Sequence, residues 1–464
     1  MNNVSINKLT YLIYSIILIG ILFSASDKFT VDWAHILFLI QLALAIRISK
    51  DFETKWAFFL SPSFLLVFYV NFNIFVGAYA LKENLLIEFY QHRSTSFKLI
   101  QNINIPYLHT AICSLVSMMV LPSFKVPKII AVNNSKSSFK TVILCFALIS
   151  IFAIIKIDLS IIGGGGDFST IPKSITSIIL FYELAKRKHK YRFIIYLIVL
   201  LLFMATNFES KREAVFMIIP IVLLENIFGN LSTFNFTLRK IIISIFSFLA
   251  IVYSLLIMTI LRGFGGYDLS NPLNAFKYVD NLVKDFNISK LLFTISEAPT
   301  TTYVSIKAMS SVNNNLDLLT YGSTYLKLLF VPIPRSFFGE KPESMTTIFT
   351  KMEDPGFYGI GGSLPINIYA ESFWNFHFGG VFVILAIVIS LNFMFSKVIN
   401  LVLKDKFSFF MAGIVFAYTY IVGFYRGFGF DLYSVNIIFG FIFSLLISWL
   451  INVFLNISPT FKKL

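Results

Sequence analysis

Apolar runs of about 15–25 residues recur along most of this chain, and runs of that length admit few folds. Inside hydrocarbon every backbone N–H and C=O must be satisfied by the chain itself, so only helices and closed barrels span a membrane. Barrel strands read as short segments of about 10 residues with alternating polarity. The runs here are longer and do not alternate, so they read as helices. A soluble alternative fails on composition. Of 464 residues, 57% are hydrophobic and only 13% charged, about half the charged share of an ordinary soluble domain. Lipid has to cover part of the surface.

The predicted spans are 9–25, 31–48, 56–80, 104–122, 141–157, 171–185, 193–207, 213–229, 241–261, 376–396, 408–424 and 434–454. The first resembles a signal peptide in length but has no clear small-x-small cleavage site, so it is expected to remain as the first helix. The fold class is therefore all-α, a polytopic membrane protein of about a dozen helices. Net charge is +14. The excess lies mostly in short connections, which points to topology rather than to a nucleic-acid partner. With the N-terminus inside, the short inner segments hold about twice as many Lys and Arg as the short outer ones. Lys186, Arg187, Lys188, Lys190 and Arg192 give the strongest vote. Both termini are then cytoplasmic. The domain reading is a single transmembrane helical domain, 1–464, with one long extracytoplasmic loop, 262–371, between the ninth and tenth spans.

A connection that long is expected to carry structure or function. Asn271-Pro272 reads as a cap followed by a first-turn proline. Phe276, Val279, Leu282, Val283 and Phe286 then fall at helical spacing, so 272–287 is expected to be an amphipathic helix at the outer surface. Prolines and glycines crowd 332–365, which predicts irregular chain.

Several chemistries find no motif. There is no Walker loop, no dinucleotide glycine pattern and no HExxH. Gly163–Gly166 with Asp167 reads as a flexible turn. Cys113 and Cys145 lie in apolar runs and suggest neither a disulfide framework nor a metal site. No histidine pairs with a second ligand at metal spacing; His109 sits in an apolar run.

Three clusters face outward in this topology. The first is NFESKREAVF, 207–216, in which Glu209, Lys211, Arg212 and Glu213 crowd a membrane boundary. The plain alternative is a snorkelling helix end; the functional one is an anion site in which Arg212 forks onto phosphate oxygens. The second is VPIPRSFFGEKPES, 331–344, where prolines stiffen the loop that presents Arg335, Glu340 and Lys341. An exposed charged turn is its plain alternative. The third is GIGGSLPINIYAESFWNFHFGGVFV, 359–383, with Glu371 and His377 among Tyr369, Trp374 and Phe376. Such aromatics can stack on sugar rings, or simply form the belt found at any membrane interface.

The order of these elements resembles the Wzy-type polymerases of O-antigen and capsule repeat units. A Lys-Arg pair opens an outer helix, a late outer loop carries IPRSFFGEKP, and a glycine-rich stretch leads into YAESFWNFHFGG. The residue-level likeness covers about 207–216 and 331–380. His377 departs from it, standing where the family motif usually has glycine. The resemblance implies a GT-C-like fold in a bacterial inner membrane, with its active site on the extracytoplasmic side. It implies transfer of a growing glycan from undecaprenyl diphosphate to the non-reducing end of a new lipid-linked unit, with no cofactor. Implied partners are the undecaprenyl-diphosphate-linked oligosaccharide, membrane lipid and a chain-length regulator protein. Implied diphosphate ligands are Lys211, Arg212, Arg335 and Lys341, with Arg262 and Arg426 as further candidates. The implied base is Glu371 or Glu340, with His377 a third choice. A flippase or other transporter of lipid-linked oligosaccharide and an O-antigen ligase are the rival readings.

Overall fold

The computed structural model describes residues 5–83, 100–121, 139–154, 170–206, 211–228, 298–330, 342–359, 361–403, 411–424 and 430–457. Helices account for most of them, and no strand occurs among them. The α-helices are α1 (Ile6–Ser24), α2 (Asp27–Ile48), α3 (Lys55–Phe59), α4 (Pro62–Lys82), α5 (Asn104–Met119), α6 (Phe139–Ile154), α7 (Thr170–Lys186), α8 (Arg192–Thr206), α9 (Lys211–Ile227), α10 (Ala298–Asn314), α11 (Ser323–Phe330), α12 (Met345–Glu353), α13 (Pro355–Gly359), α14 (Ile368–Phe376), α15 (Gly380–Leu403), α16 (Met411–Phe424) and α17 (Phe430–Ile457). Every predicted span coincides with a helix except 241–261, which lies outside the described residues, as does the expected helix 272–287.

Five described helical stretches are long and apolar enough to cross a membrane: Ile6–Ser24, Asp27–Asp51, Pro62–Ala80, Ile368–Asn400 and Asn436–Phe454. They also carry large apolar side chains on outward faces, such as Ile13, Ile17, Phe393 and Trp449. Water would not tolerate that much exposed hydrocarbon. The protein is a multi-pass membrane protein.

Local chemistry sets the helix ends. The Ser5 hydroxyl caps α1 by accepting from Lys8 N–H at 3.1 Å. Ser26 does the same for α2 through Phe29 N–H. Asp27 opens α2 and Arg47 closes it, both complementing the helix dipole. The sequence reads 56–80 as one span, but the helix breaks before Pro62. That proline has no N–H to continue α3 and suits a helix start. Ser61 secures the break, donating to the Phe58 carbonyl at 2.7 Å and accepting from Phe64 N–H at 3.3 Å.

The chain divides into two compact units, Met1–Leu180 with Ala298–Leu464, and Phe181–Glu297. In the first, a buried polar chain crosses four helices. Gln41 donates to the Ser15 hydroxyl at 3.1 Å, Asn71 to Gln41 Oε1 at 3.0 Å, and Ser114 to Asn71 Oδ1 at 2.9 Å. The Tyr11 hydroxyl then donates to the Ser114 carbonyl. Such bonds hold helices together where apolar contact gives no preference over lipid. Helix α10 packs on α4, α5 and α14. Thr302 donates to the Asn73 carbonyl at 2.7 Å, and a Cβ on Gly77 would lie 2.4 Å from the Thr302 Cβ. Only glycine permits that approach. At its far end α10 meets the start of α5. Asn102 donates to Asn314 Oδ1 at 2.7 Å and Ser310 to the Gln101 carbonyl at 2.5 Å.

In the second unit α8 and α9 pair. Arg192 Nε donates to both Glu225 oxygens, at 3.0 and 3.2 Å, and the Tyr196 hydroxyl donates to Oε1 at 2.7 Å. Phe181 stands edge-on to Tyr196, and Tyr182 to Phe228.

Candidate functional site

The motif YAESFWNFHFGG forms α14 and the turn into α15. Asn367 caps α14 by accepting from Ala370 N–H at 2.9 Å, and its own N–H donates to the Ser305 hydroxyl of α10. Helix α14 runs against α5 in the opposite sense. The Tyr369 hydroxyl meets Ser117 at 3.2 Å, while His109, two turns earlier in α5, faces the Tyr369 carbonyl and Ser372. The closing glycine is forced. A Cβ on Gly380 would lie 2.4 Å from the Ser372 carbonyl oxygen.

Glu371 lies in the first turn of α14 and is only 5% exposed. The positive end of the helix favours its charge. Its Oε1 accepts from the Thr324 hydroxyl at 3.3 Å. One turn on, Asn375 fixes α11 against α14 with both ends of its amide. Its Oδ1 accepts from the Thr320 hydroxyl at 2.8 Å and from Gly322 N–H at 3.0 Å. Its Nδ2 donates to Thr324 Oγ1 and to the Glu371 carbonyl, each at 2.8 Å. Thr324 is thereby held against the carboxylate. Its neighbour Tyr325 lies parallel to Phe376, and its hydroxyl is buried. Burial, followed by the charge of Glu371, pushes that phenol well above its usual value. The Glu371 carboxylate and the Tyr325 phenol thus share one electrostatic environment.

His377 is turned elsewhere. Its Nε2 meets Asn313 Oδ1 at 3.4 Å, and its ring packs 4.3 Å from that of Phe373. Its backbone sits at φ 51°, ψ −136°, a region that glycine enters freely and other residues enter under strain. The position where the resemblance expects glycine therefore has a glycine's backbone. His377→Gly relieves that strain and should leave protein accumulation undiminished. His377→Val, whose branched Cβ fits that backbone worst, should cost about 1–3 kcal/mol and lower protein accumulation. Accumulation of the glycine variant no better than that of the valine variant would refute the strain.

In the sequence His109 stands only as one of a set of histidines without metal spacing. It is fully buried, with Nε2 3.3 Å from Cys113 Sγ one turn along α5. No group of three or more His, Cys, Asp or Glu suited to a metal occurs among the described residues. Lys211 and Arg212 open α9, in the second unit. Arg262, Arg335, Glu340, Lys341 and Arg426 lie outside the described residues. Thr324, Tyr325 and Asn375 are site residues the sequence reading missed. Asn375 was findable, four residues after Glu371 on a helix; Thr324 and Tyr325, 47 residues away in the case of Thr324, gave no signal.

No family model, no curated protein and no solved structure matches the chain.

Proposed function

We propose that the protein is a polymerase of undecaprenyl-diphosphate-linked oligosaccharide repeat units, with about twelve spans and both ends cytoplasmic. The observation that carries the reading is the buried Glu371 carboxylate. It lies in the first turn of α14, inside the motif that bears the resemblance, and it is held by Thr324. In this reading an acceptor hydroxyl attacks the anomeric carbon of the growing chain. The bond from that carbon to the lipid diphosphate breaks, and the bonding pair leaves with the diphosphate. Glu371 takes the acceptor's proton. Lys211, Arg212, Arg335 and Lys341 neutralise the departing charge.

A transporter would place ionisable groups deep in its spans, along an aqueous path. Among the described residues the buried Lys, Asp, Glu and Arg side chains sit near helix ends, while His35 and His109 are buried within α2 and α5. Lys173 and Glu371 lie in first turns, and Glu183 and Glu225 in last turns.

Deletion of the gene followed by glycan profiling tests the reading. A polymerase defect leaves a single-unit band and no long chains. Loss of all surface glycan would point to a flippase or ligase and overturn it. Complementation tests the cation assignment. Arginine grips two phosphate oxygens through a planar fork, which lysine cannot reproduce. Arg335→Lys and Arg212→Lys should each lose about 3 kcal/mol, roughly a hundredfold in rate. Arg239→Lys, assigned to the cytoplasmic side, should be nearly silent. Normal chains from both outer variants would dismiss the bidentate assignment.

A further inference from the structure

Thr320–Ser323 is a tight turn that leads into α11, closed by Ser323 N–H donating to the Thr320 carbonyl at 2.9 Å. Its two central residues both have positive φ, 48° at Tyr321 and 87° at Gly322. Turns of that kind are built from glycine, asparagine and aspartate, which enter the left-handed region at little cost. Gly322 fits. Tyr321 does not, because a bulky side chain there strains the backbone. Burial could offset the strain, but Tyr321 is 76% exposed. The fold itself gains little from a tyrosine at this position.

The turn is nonetheless firmly held. Asn375 Oδ1 accepts from Gly322 N–H at 3.0 Å and from the Thr320 hydroxyl at 2.8 Å. Thr320 N–H also donates to the Trp374 carbonyl at 3.4 Å. A Cβ on Gly322 would lie 2.9 Å from Phe376 Cζ, so the turn rests directly on that ring. Phe376 is itself 37% exposed. The other end of the Asn375 amide holds Thr324, the residue that donates to Glu371. One buried amide thus ties an exposed tyrosine to the environment of the carboxylate.

Strain kept in place by surrounding bonds points to a role outside the fold. An exposed aromatic face attracts the C–H groups on one side of a pyranose ring. Among the aromatics of the YAESFWNFHFGG motif, Tyr369 and Trp374 are wholly buried and offer no face, whereas Phe376 is partly open. An anchor in the lipid interface would need neither a strained backbone nor a pinned turn. The chain entering the turn is polar as well, with Asn314, Asn315 and Asp317 all exposed, which suits a hydroxyl-rich ligand.

We propose that Tyr321, with Phe376 beside it, forms a stacking platform for a pyranose ring of a glycan. Its assignment to the oligosaccharide repeat unit rests on the polymerase reading; the stacking chemistry does not.

The test uses the purified full-length chain in nanodiscs. The probe is the repeat-unit oligosaccharide released from its lipid carrier by mild acid. Tyr321→Asn removes the ring and suits the backbone. It should weaken binding about threefold to tenfold while raising the melting temperature. Tyr321→Phe and Tyr321→Trp keep an aromatic face and should bind within about twofold of the unaltered protein. Sorbitol, an open-chain polyol, offers hydroxyls but no ring face and should not compete. Unchanged affinity in Tyr321→Asn overturns the platform, as does competition by sorbitol at equal concentration. A lower melting temperature with unchanged affinity would overturn it in favour of a lipid-interface anchor. Should the asparagine variant fail to accumulate, Tyr321→Gly carries the same comparison. The two readings fail separately. Long chains surviving gene deletion would sink the polymerase while leaving Tyr321-dependent sugar binding intact. A single-unit band on deletion, with binding independent of Tyr321, would sink only the platform.

Discussion

Glu371→Gln should all but abolish chain extension at undiminished protein level. Glutamine matches glutamate in size, and its carbonyl oxygen can still accept from Thr324, which donates to Glu371 at 3.3 Å. What it lacks is the capacity to take a proton. General-base catalysis typically contributes about a hundredfold to ten-thousandfold, equivalent to roughly 3–5 kcal/mol of barrier. Glu371→Asp keeps the base but shortens its reach by one methylene, so it should retain part of the activity. The measurement is chain length in complemented deletion cells, with protein matched by immunoblot. Normal chains from Glu371→Gln, with chains lost from Glu340→Gln, would transfer the role of base to Glu340.

Asn375 gives that result a structural partner. Its amide ties Thr320, Gly322, Thr324 and the Glu371 carbonyl into one arrangement. The carboxylate was legible in the sequence because an acid among aromatics at a membrane mouth stands out. The clamp around it was not. Thr324 and Tyr325 reach Glu371 only through the path of the chain between α10 and α14, and no local spacing encodes that path. The long apolar helices were legible for a simpler reason: hydrocarbon imposes a length and a polarity on each membrane-crossing helix. Where helices depart from that rule, reading by hydropathy fails. The apolar pattern runs straight through the break at Pro62. Helix α10 fails in the opposite direction, since Thr301, Thr302, Ser305 and Ser310 make it look like loop. All four are buried. Thr302 and Ser310 donate to backbone carbonyls of neighbouring segments, and Ser305 accepts from Asn367 N–H. Small hydroxyl residues let helices approach closely and bond across the contact. A hydropathy scale counts them only as polar.

The buried ion pair of the second unit should dominate its stability. Glu225 is 1% exposed, and its carboxylate is taken up by Arg192 and the Tyr196 hydroxyl. Glu225→Ala leaves the Arg192 guanidinium beside a void and the tyrosine hydroxyl without its acceptor. Breaking a buried pair from one side typically costs about 3–5 kcal/mol, because the surviving charge stays desolvated. Glu225→Gln should cost less, since an amide oxygen can still accept from Tyr196. Removing both charges, as in Arg192→Met with Glu225→Leu, should recover much of the loss, because well-packed apolar side chains avoid the desolvation penalty altogether. Thermal unfolding of the purified protein in detergent measures all three. A double variant no more stable than Glu225→Ala would show that the pair contributes through something other than charge compensation. In cells, Glu225→Ala should shorten glycan chains only in proportion to the protein it loses, whereas Glu371→Gln should shorten them at full protein level. The contrast separates a residue that holds the fold from one proposed to handle the proton.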